Sequence, residues 1–359
     1  MSRGEWKHVS DTVLITGVAG ELGSHLARLC LDLGFKVVGI DVVRFREAWR
    51  FKLLNLHGEK NFTYIWKNIF DLDFTTLRKY APWLIIQCDA QPDRPAGELS
   101  PTWTFQQNVM SPLHLAKLVL ENPVKPTLMI YPSSGVVWLG VPPSQQPVNE
   151  YTPPKPQGWY ALSKYFAEEV YRNLRRVHGV NTLILRTGSS FGPMGRSDQF
   201  LHRVIIEALR EKEKIVVKSP LAARTYTFIE DALSLWRIVI EKTWNEPDWV
   251  SVCSELREVD WTLLNAGNAE NRPYTNVEVA KIIVEELVKS RSVVEVTHEY
   301  EPTELVYDPK EGRKVPVKVW EDWTRSVSYR LLGWQPRYTL RDGLRKTIKW
   351  FEENLDMYL

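Results

Sequence analysis

The sequence predicts an α/β protein, with a doubly wound parallel sheet and a smaller C-terminal lobe. Three observations carry this. Short apolar runs of strand type alternate with segments of helical period from residue 12 to about 188. Glycines follow the first run at once, in GVAGELG at 17–23. After about residue 190 the alternation loosens, which marks a second lobe stitched from several segments, some of them returning to the sheet. A chain of 359 residues suits one large α/β domain with an elaborated lobe, or two domains. The expected division is 1–187 and 188–359, with about 225–242 returning to the first part.

TVLIT (12–16) is the first strand. ELGSHLARLCLDLG then has apolar residues at helical spacing and stops on Gly34. KVVGIDV (36–42) completes a βαβ unit of the expected length. WLIIQC (83–88) is a strand, and 104–122 has a helical period that Pro112 should kink or interrupt. TLMIYPSS (127–134) is a strand, followed by a loop rich in Pro and Gln. The helix from Trp159 and the strand NTLILRTG (181–188) continue the alternation. Beyond them, 200–213 is helical, and 225–242 reads as a short strand entering a helix. The segment 276–289 is a helix with a cap at Asn276, and 340–355 is a closing amphipathic helix. The stretch 243–261 between them reads as an insertion, either over the substrate cleft or as surface decoration.

Composition excludes several classes. Lys and Arg number 46 against 44 Asp and Glu, so no basic field points to nucleic acid. The three cysteines are scattered, with no CxxC and no His cluster at ligand spacing, which argues for a reducing compartment and against a metal site. MSRGEWKHVSD lacks an apolar leader core, and no run reaches the ~20 apolar residues of a membrane span. The expectation is a cytoplasmic protein without a membrane or nucleic-acid partner.

In the glycine loop, Gly17 permits a tight turn, Gly20 admits a pyrophosphate, and Gly23 allows close helix–strand packing. The helix N-terminus behind them, at Glu21 and Leu22, offers N–H groups to phosphate. Asp41 ends the next strand, where a carboxylate binds both ribose hydroxyls and repels a 2′-phosphate. This Rossmann-like pattern favours NAD over NADP. Arg44 and Arg46 weaken that preference, because an arginine accommodates a 2′-phosphate.

WYALSK puts Tyr160 and Lys164 four residues apart near a helix start, hence on one face. A free phenol titrates near ~10, too high for a base at neutral pH. A neighbouring ammonium lowers it by stabilising the phenolate. Beside NAD, such a phenolate can take a proton from a substrate hydroxyl.

At this point the chain resembles the extended short-chain dehydrogenase/reductase superfamily, specifically its NAD-dependent sugar epimerase/dehydratase family. TGVAGELG is similar to the family's cofactor loop and WYALSK to its Y-x-x-x-K. YPSSGVVWLG resembles S-S-x-x-V-Y-G, LRTGSSFGP resembles L-R-x-x-N-V-Y-G-P, and RTYTFIEDA resembles R-D-F-V-H-V-D-D-A. LNAGN and LGWQPRYTLRDGLRKTIKWF resemble its late motifs. The resemblance implies that Tyr160 is the general base and Lys164 its partner. It implies that Asp41 holds the adenosine ribose, that Asn68 with Ile69 meets the adenine, and that Asn108 belongs to the cofactor site. It aligns Arg224 and Arg313 with positions that meet substrate phosphates. It also implies a homodimer packed through helices at about 104–122 and 159–177, although Pro112 could disturb that packing.

The departures are as informative. The hydroxyl that assists the base lies, in many members, five residues before the glycine that ends S-S-x-x-V-Y-G. Here that position is Gly135. Ser134 is the replacement expected, with Ser133 next. Val136 and Val137 stand in place of the acid pair of the dehydratase branch, which argues against a 4,6-dehydratase. Asp89 puts a carboxylate where the family has a small apolar residue near the cofactor. Ser189 replaces an Asn on the sugar diphosphate side, and KSPLAAR (218–224) lacks a G-D-G before its Arg.

The leading expectation is an epimerase of a nucleotide-diphosphate sugar, of the 4-epimerase type, working through a keto intermediate. The alternative is a dehydrogenase of a sugar, uronate or polyol without a nucleotide, favoured by Ser189 and the altered 218–224 loop. A third reading, a non-catalytic NAD-binding regulator, has only Gly135 and Leu139 behind it.

Overall fold

The computed structural model describes residues 10–358; the N-terminal stretch behind the expectation about a leader lies mostly outside them. Seven strands form the central sheet: β1 (Thr12–Thr16), β2 (Lys36–Asp41), β3 (Phe62–Trp66), β4 (Leu84–Gln87), β5 (Leu128–Ser134), β6 (Thr182–Thr187) and β7 (Thr262–Asn265). Their order is β7-β6-β5-β4-β1-β2-β3. Thr12 lies against Lys36 and Val13 against Leu84, both in parallel register. The order reverses between β1 and β4, and a doubly wound sheet opens its ligand crevice at the strand ends beside such a reversal. The Rossmann-like α/β fold is therefore observed.

Helix α1 (Glu21–Asp32) follows the glycine loop, and α2 (Arg94–Leu99), α3 (Ser111–Glu121) and α4 (Trp159–His178) follow β4 and β5. The expected helix over 104–122 is interrupted. One π turn, Gln106–Met110, precedes Ser111, so Pro112 falls in the first turn of α3. Proline lacks an N–H and is tolerated there. Among the described residues no helix is long and apolar enough to cross a membrane.

The chain divides into two compact units. The first holds residues 1–133, 158–185 and 235–263, so the segment that returns to it begins later than residue 225, and the loop 134–157 belongs to the other unit. Its core packs Leu14, Ile40 and Ile85 of the sheet against Leu115, Val119 and Tyr171 of the helices. The stretch 243–261 forms two short helical turns, Trp249–Val252 and Ser254–Glu258. Arg175 of α4 donates to the Val250 carbonyl at 3.0 Å and lies 4.2 Å from the Trp261 ring, so this stretch braces the C-terminal end of α4.

The second unit holds 134–157, 186–234 and 264–359. Its core gathers Phe191, Phe228, Ile283, Leu344 and Phe351. Ala223–Arg224 pairs antiparallel with Tyr274–Thr275 and parallel with Lys318–Val319. The helix expected to start at Asn276, α5 (Asn276–Lys281), is capped one residue earlier. Thr275 and Glu278 form a reciprocal capping box, which satisfies two of the orphan N–H groups. The short helix α6 (Val327–Leu332) and the closing helix α7 (Leu340–Asn354) complete this unit.

Candidate active site

The glycine loop leaves the end of β1. Gly17 has φ +63°, and a Cβ there would stand 2.5 Å from the Asp89 nitrogen, so the turn requires glycine on both counts. Gly20 precedes α1 without a capping side chain. The first-turn N–H groups of a helix have no partner within the helix, which is the character that receives a phosphate. Asp41 Oδ2 accepts the Ala19 N–H at 2.9 Å and Oδ1 accepts the Val43 N–H at 3.1 Å, which fixes its carboxylate beside the loop. Asn68 Oδ1 accepts the Phe70 N–H at 3.1 Å and caps a short turn over buried Ile69. Arg44 pairs with Glu47 at 3.6 Å on the surface. An uncapped helix start, a glycine cradle and a carboxylate at the next strand end are the parts an NAD site needs, so these residues fit that cofactor.

Asp89 lies just past β4, against the glycine loop. Its two oxygens accept from Thr16 and Ser111. Ser111 in turn takes the Gln87 amide at 3.0 Å, and Gln87 takes the Tyr171 hydroxyl at 2.7 Å. Burial pushes the Asp89 carboxyl above its usual range, and the Ser111 and Thr16 hydroxyls oppose that only in part. Asn108 is 1% exposed. It accepts the Gln91 N–H at 2.7 Å, and donates to the Gln91 carbonyl at 3.1 Å and to Ser163 at 3.0 Å. Its amide thus ties the loop after β4 to α4. Asn108 is on the π turn, a distortion that often marks functional positions.

Tyr160 and Lys164 lie one turn apart at the start of α4, Tyr160 half-buried and Lys164 buried. A Cβ on Gly97 of α2 would lie 3.1 Å from the Tyr160 Cβ, so the absence of a side chain there lets α2 close on the tyrosine. Lys164 Nζ donates to the Pro132 carbonyl at 2.9 Å and sits 4.4 Å above the Tyr131 ring. The Tyr131 phenol is raised far up by burial and next by the charge of Tyr160, so Tyr131 borders both members of the pair. Burial pulls the Lys164 ammonium down to about 8, opposed by Glu168, Cys88 and Asp89. At neutral pH it is still mostly a cation, held where desolvation strengthens its field.

The two serines differ. Ser133 donates to Glu168 at 2.6 Å, and the other Glu168 oxygen takes Arg172 at 2.9 Å. Ser134, in the second unit, accepts the Val136 N–H at 3.3 Å and caps the turn Gly135–Trp138. Within that unit Ser189 is in a short strand paired with Tyr226–Phe228. Arg224 is largely buried, with Nη2 2.9 and 3.1 Å from the two oxygens of Glu304. Arg313 is on an exposed hairpin with Glu311 at 3.5 Å. Sequence reasoning missed Glu304 and Glu321. Glu321 is 2% exposed beside Gly135, and the only signal for it was the missing side chain at 135.

The model of the NAD dependent epimerase/dehydratase family matches residues 13–253. A UDP-glucuronate 4-epimerase of Thermodesulfobacterium geofontis is 24% identical over 353 residues, covering 96% of this chain and 97% of the relative. A dTDP-glucose 4,6-dehydratase of Xanthomonas campestris is 22% identical over 352 residues, covering 96% and 93%. Among solved structures, the UDP-glucuronic acid 4-epimerase of Bacillus cereus, in complex with UDP-glucuronic acid and NAD, superposes with a TM-score of 0.77 at 19% identity, covering 96% of this chain and 99% of that one. The UDP-glucose 4-epimerase of Thermotoga maritima, with UDP-glucose, gives the same TM-score, identity and coverage. With its glycine cradle, Asp41 and the Tyr160–Lys164 helix, the chain belongs to the NAD dependent epimerase/dehydratase family, a family of enzymes whose cofactor is NAD.

Proposed function

We propose that the enzyme is a nucleotide-diphosphate sugar epimerase of the 4-epimerase type. The observation that carries this is the buried Lys164 ammonium, fixed by Pro132 one helical turn from Tyr160. Bound NAD supplies the capacity to accept a hydride and give it back. The glycine loop, Asp41 and Asn68 hold that cofactor. Lys164 lowers the free energy of the Tyr160 phenolate, and the phenolate takes the proton of the sugar hydroxyl and later returns it. Ser133 is occupied by Glu168, so Ser134 is the hydroxyl the sequence offers as a second holder of the substrate oxygen. Relatives named for UDP-glucuronate support a sugar nucleotide as substrate.

One observation favours a second reading. The Arg224 guanidinium is already neutralised by Glu304, which leaves it poorly disposed to take a phosphate. That suits a net dehydrogenase of a free uronate or sugar. A single assay separates the two. The NAD-loaded protein is incubated with UDP-, GDP- and dTDP-sugars and with free sugars and uronates, while absorbance at 340 nm and product stereochemistry are followed. A new epimer without accumulating NADH is the expected result; steady NADH production from a free sugar overturns the epimerase reading.

We further propose a homodimer through α3 and α4. Met110, Leu113 and Phe166 are 51%, 43% and 44% exposed along these helices. They belong to an apolar face with a groove of about 580 Å³, lined by Val109, Leu113, Leu120, Phe166 and Val170. A second copy of the same face would cover it. Phe166→Glu should convert a dimer to a monomer by light scattering; an unchanged mass argues against this interface. Three unpaired cysteines support a reducing, cytoplasmic setting.

A further inference from the structure

Lys164 shares its helix face with a second charged residue one turn further on. Glu168 is fully buried in α4. Ser133 donates to one of its oxygens at 2.6 Å, and Arg172 to the other at 2.9 Å. Ser133 follows Pro132 at the end of β5, and the Pro132 carbonyl is the group that takes Lys164 Nζ. Arg172 is buried too. Its Nη1 reaches Glu169 at 2.7 Å, and its Nε lies 2.9 Å from Asp260 Oδ2. Asp260 also pairs with Arg176. Three carboxylates thus surround two guanidiniums, which leaves one negative charge over for Lys164 to balance. Asp260 belongs to the stretch 243–261, where it and Trp261 have φ +54° and +53°. Two successive left-handed residues, neither of them glycine, persist only where surrounding contacts hold them. Arg172 and Arg176 on the carboxylate and Arg175 against the Trp261 ring are those contacts. All of these residues lie in the first unit.

We propose that Glu168 is a positioning residue for the Tyr160–Lys164 pair, and that Asp260 keeps it effective by answering the charge of Arg172. This rests on the reading of Tyr160 given above. A buried ammonium stabilises a phenolate only while it keeps its proton, so the site must hold that proton against desolvation. Besides Glu168, four titratable groups face Lys164. Tyr160 on α4 is the phenol to be ionised. Burial holds Tyr131 on β5 and Cys88 after β4 in their neutral forms. Burial also raises the Asp89 carboxyl, which weakens it as a counter-charge. Glu168 is the anion that remains. After burial itself it has the largest effect on the Lys164 ammonium, in the direction of keeping the proton. Arg172 alone on Glu168 would cancel that field. Burial works against the Arg172 charge, and Glu168, Glu169 and Asp260 together outweigh it. Because Glu169 and Asp260 share the guanidinium, Glu168 keeps a net field toward Lys164. Its second contribution is positional. The bond from Ser133 fixes the strand end whose Pro132 carbonyl holds the ammonium.

The test reads the Tyr160 phenolate directly. Near-ultraviolet absorbance of the NAD-loaded protein is followed as pH is raised, and the Tyr160→Phe trace is subtracted. Turnover on UDP-glucuronate and then on the other panel sugars, NAD affinity and thermal midpoint are measured for the same variants. Glu168→Gln keeps the shape and removes the charge. It should move the phenolate midpoint up by about one pH unit, ~10-fold less phenolate at pH 7. Its kcat should fall by a similar ~10-fold with KM and NAD affinity unchanged. That deficit should narrow as pH rises, which a packing defect would not do. Asp260→Asn, at the solvent end of the chain of charges, should move the midpoint the same way by about half a unit, ~3-fold. Arg172→Met added to Glu168→Gln takes away the guanidinium that residue 168 no longer answers, and should bring the midpoint part of the way back. A merely structural Glu168 would lose further with each change. A phenolate midpoint unmoved by Glu168→Gln overturns the proposal. So does a shift in Glu168→Gln with none in Asp260→Asn, which removes the stretch 243–261 from the chain of charges. Should Glu168→Gln fail to fold, Asp260→Asn decides alone, and an unmoved midpoint there overturns the proposal. Full turnover in Tyr160→Phe defeats the base reading, while the Tyr160 midpoint still tests this one.

Discussion

Tyr160→Phe should bind NAD about as tightly as wild type and turn over at least ~100-fold more slowly. The substitution removes one oxygen from a half-buried ring and leaves the packing of α2 on α4 through Gly97 intact. The expected loss is in kcat, because the phenolate acts on the reacting hydroxyl and contributes little to holding the sugar. Lys164→Met is the companion variant. It removes the cation that stabilises the phenolate and also a buried charge whose ammonium burial holds down at about 8. The sign of the second effect is opposite to the first. A lysine that binds its proton less tightly folded than unfolded destabilises the fold below about pH 8, and the penalty is relieved as pH rises from 8 toward the ordinary lysine value. Lys164→Met should therefore be less active but no less stable at pH 7, and its stability advantage over wild type should shrink above pH 8. Rate and thermal midpoint across pH 6–10 check both. A Tyr160→Phe enzyme with normal kcat would remove the base assignment altogether.

What the sequence made legible was what local geometry dictates. Gly17 is required by a positive φ and by the Asp89 backbone that crowds it, and both needs are written as a glycine straight after a strand. Tyr160 and Lys164 share a face because helices repeat every 3.6 residues. Pro112 announced a break, and the break is a π turn that lets the proline sit in the first turn of α3. Contacts between distant segments were illegible. Glu304 closing on Arg224, and Glu321 filling the space at Gly135, join residues with no local pattern between them. In each case one partner looked meaningful alone. Arg224 read as a phosphate ligand and Gly135 as a defect, and the partner changes both readings. The helix cap expected at Asn276 moved by one residue because a Thr–Glu capping box satisfies two donors where Asn alone satisfies one.

Glu150→Ala should be the most damaging single substitution to the second unit's stability. Glu150 is 6% exposed, in the loop that also carries Gly135. Its Oε1 accepts the N–H groups of Leu264 at 2.9 Å, Val327 at 3.0 Å and Ser328 at 3.2 Å. Val327 and Ser328 open α6, where N–H groups have no partner inside the helix. One carboxylate oxygen thus joins the end of β7, the start of α6 and the loop 134–157. Alanine leaves three buried donors without an acceptor, each costing about 1–3 kcal/mol, so a loss of roughly 3 kcal/mol or more is expected. Glu150→Gln keeps an acceptor and should lose much less. Burial raises the Glu150 carboxyl despite these three donors. A carboxyl that holds its proton more tightly folded than unfolded contributes stability that declines as pH climbs from the ordinary glutamate value through the raised one. Glu321 carries the same sign, so Glu150→Gln should flatten that decline without abolishing it. Thermal midpoints of wild type and the two variants from pH 4 to 9 measure this. Equal midpoints for Glu150→Ala and wild type would mean the loop is held by other contacts, and the bridge from Val148 to Glu321 would then be the principal tie between Gly135 and the carboxyl that fills its space.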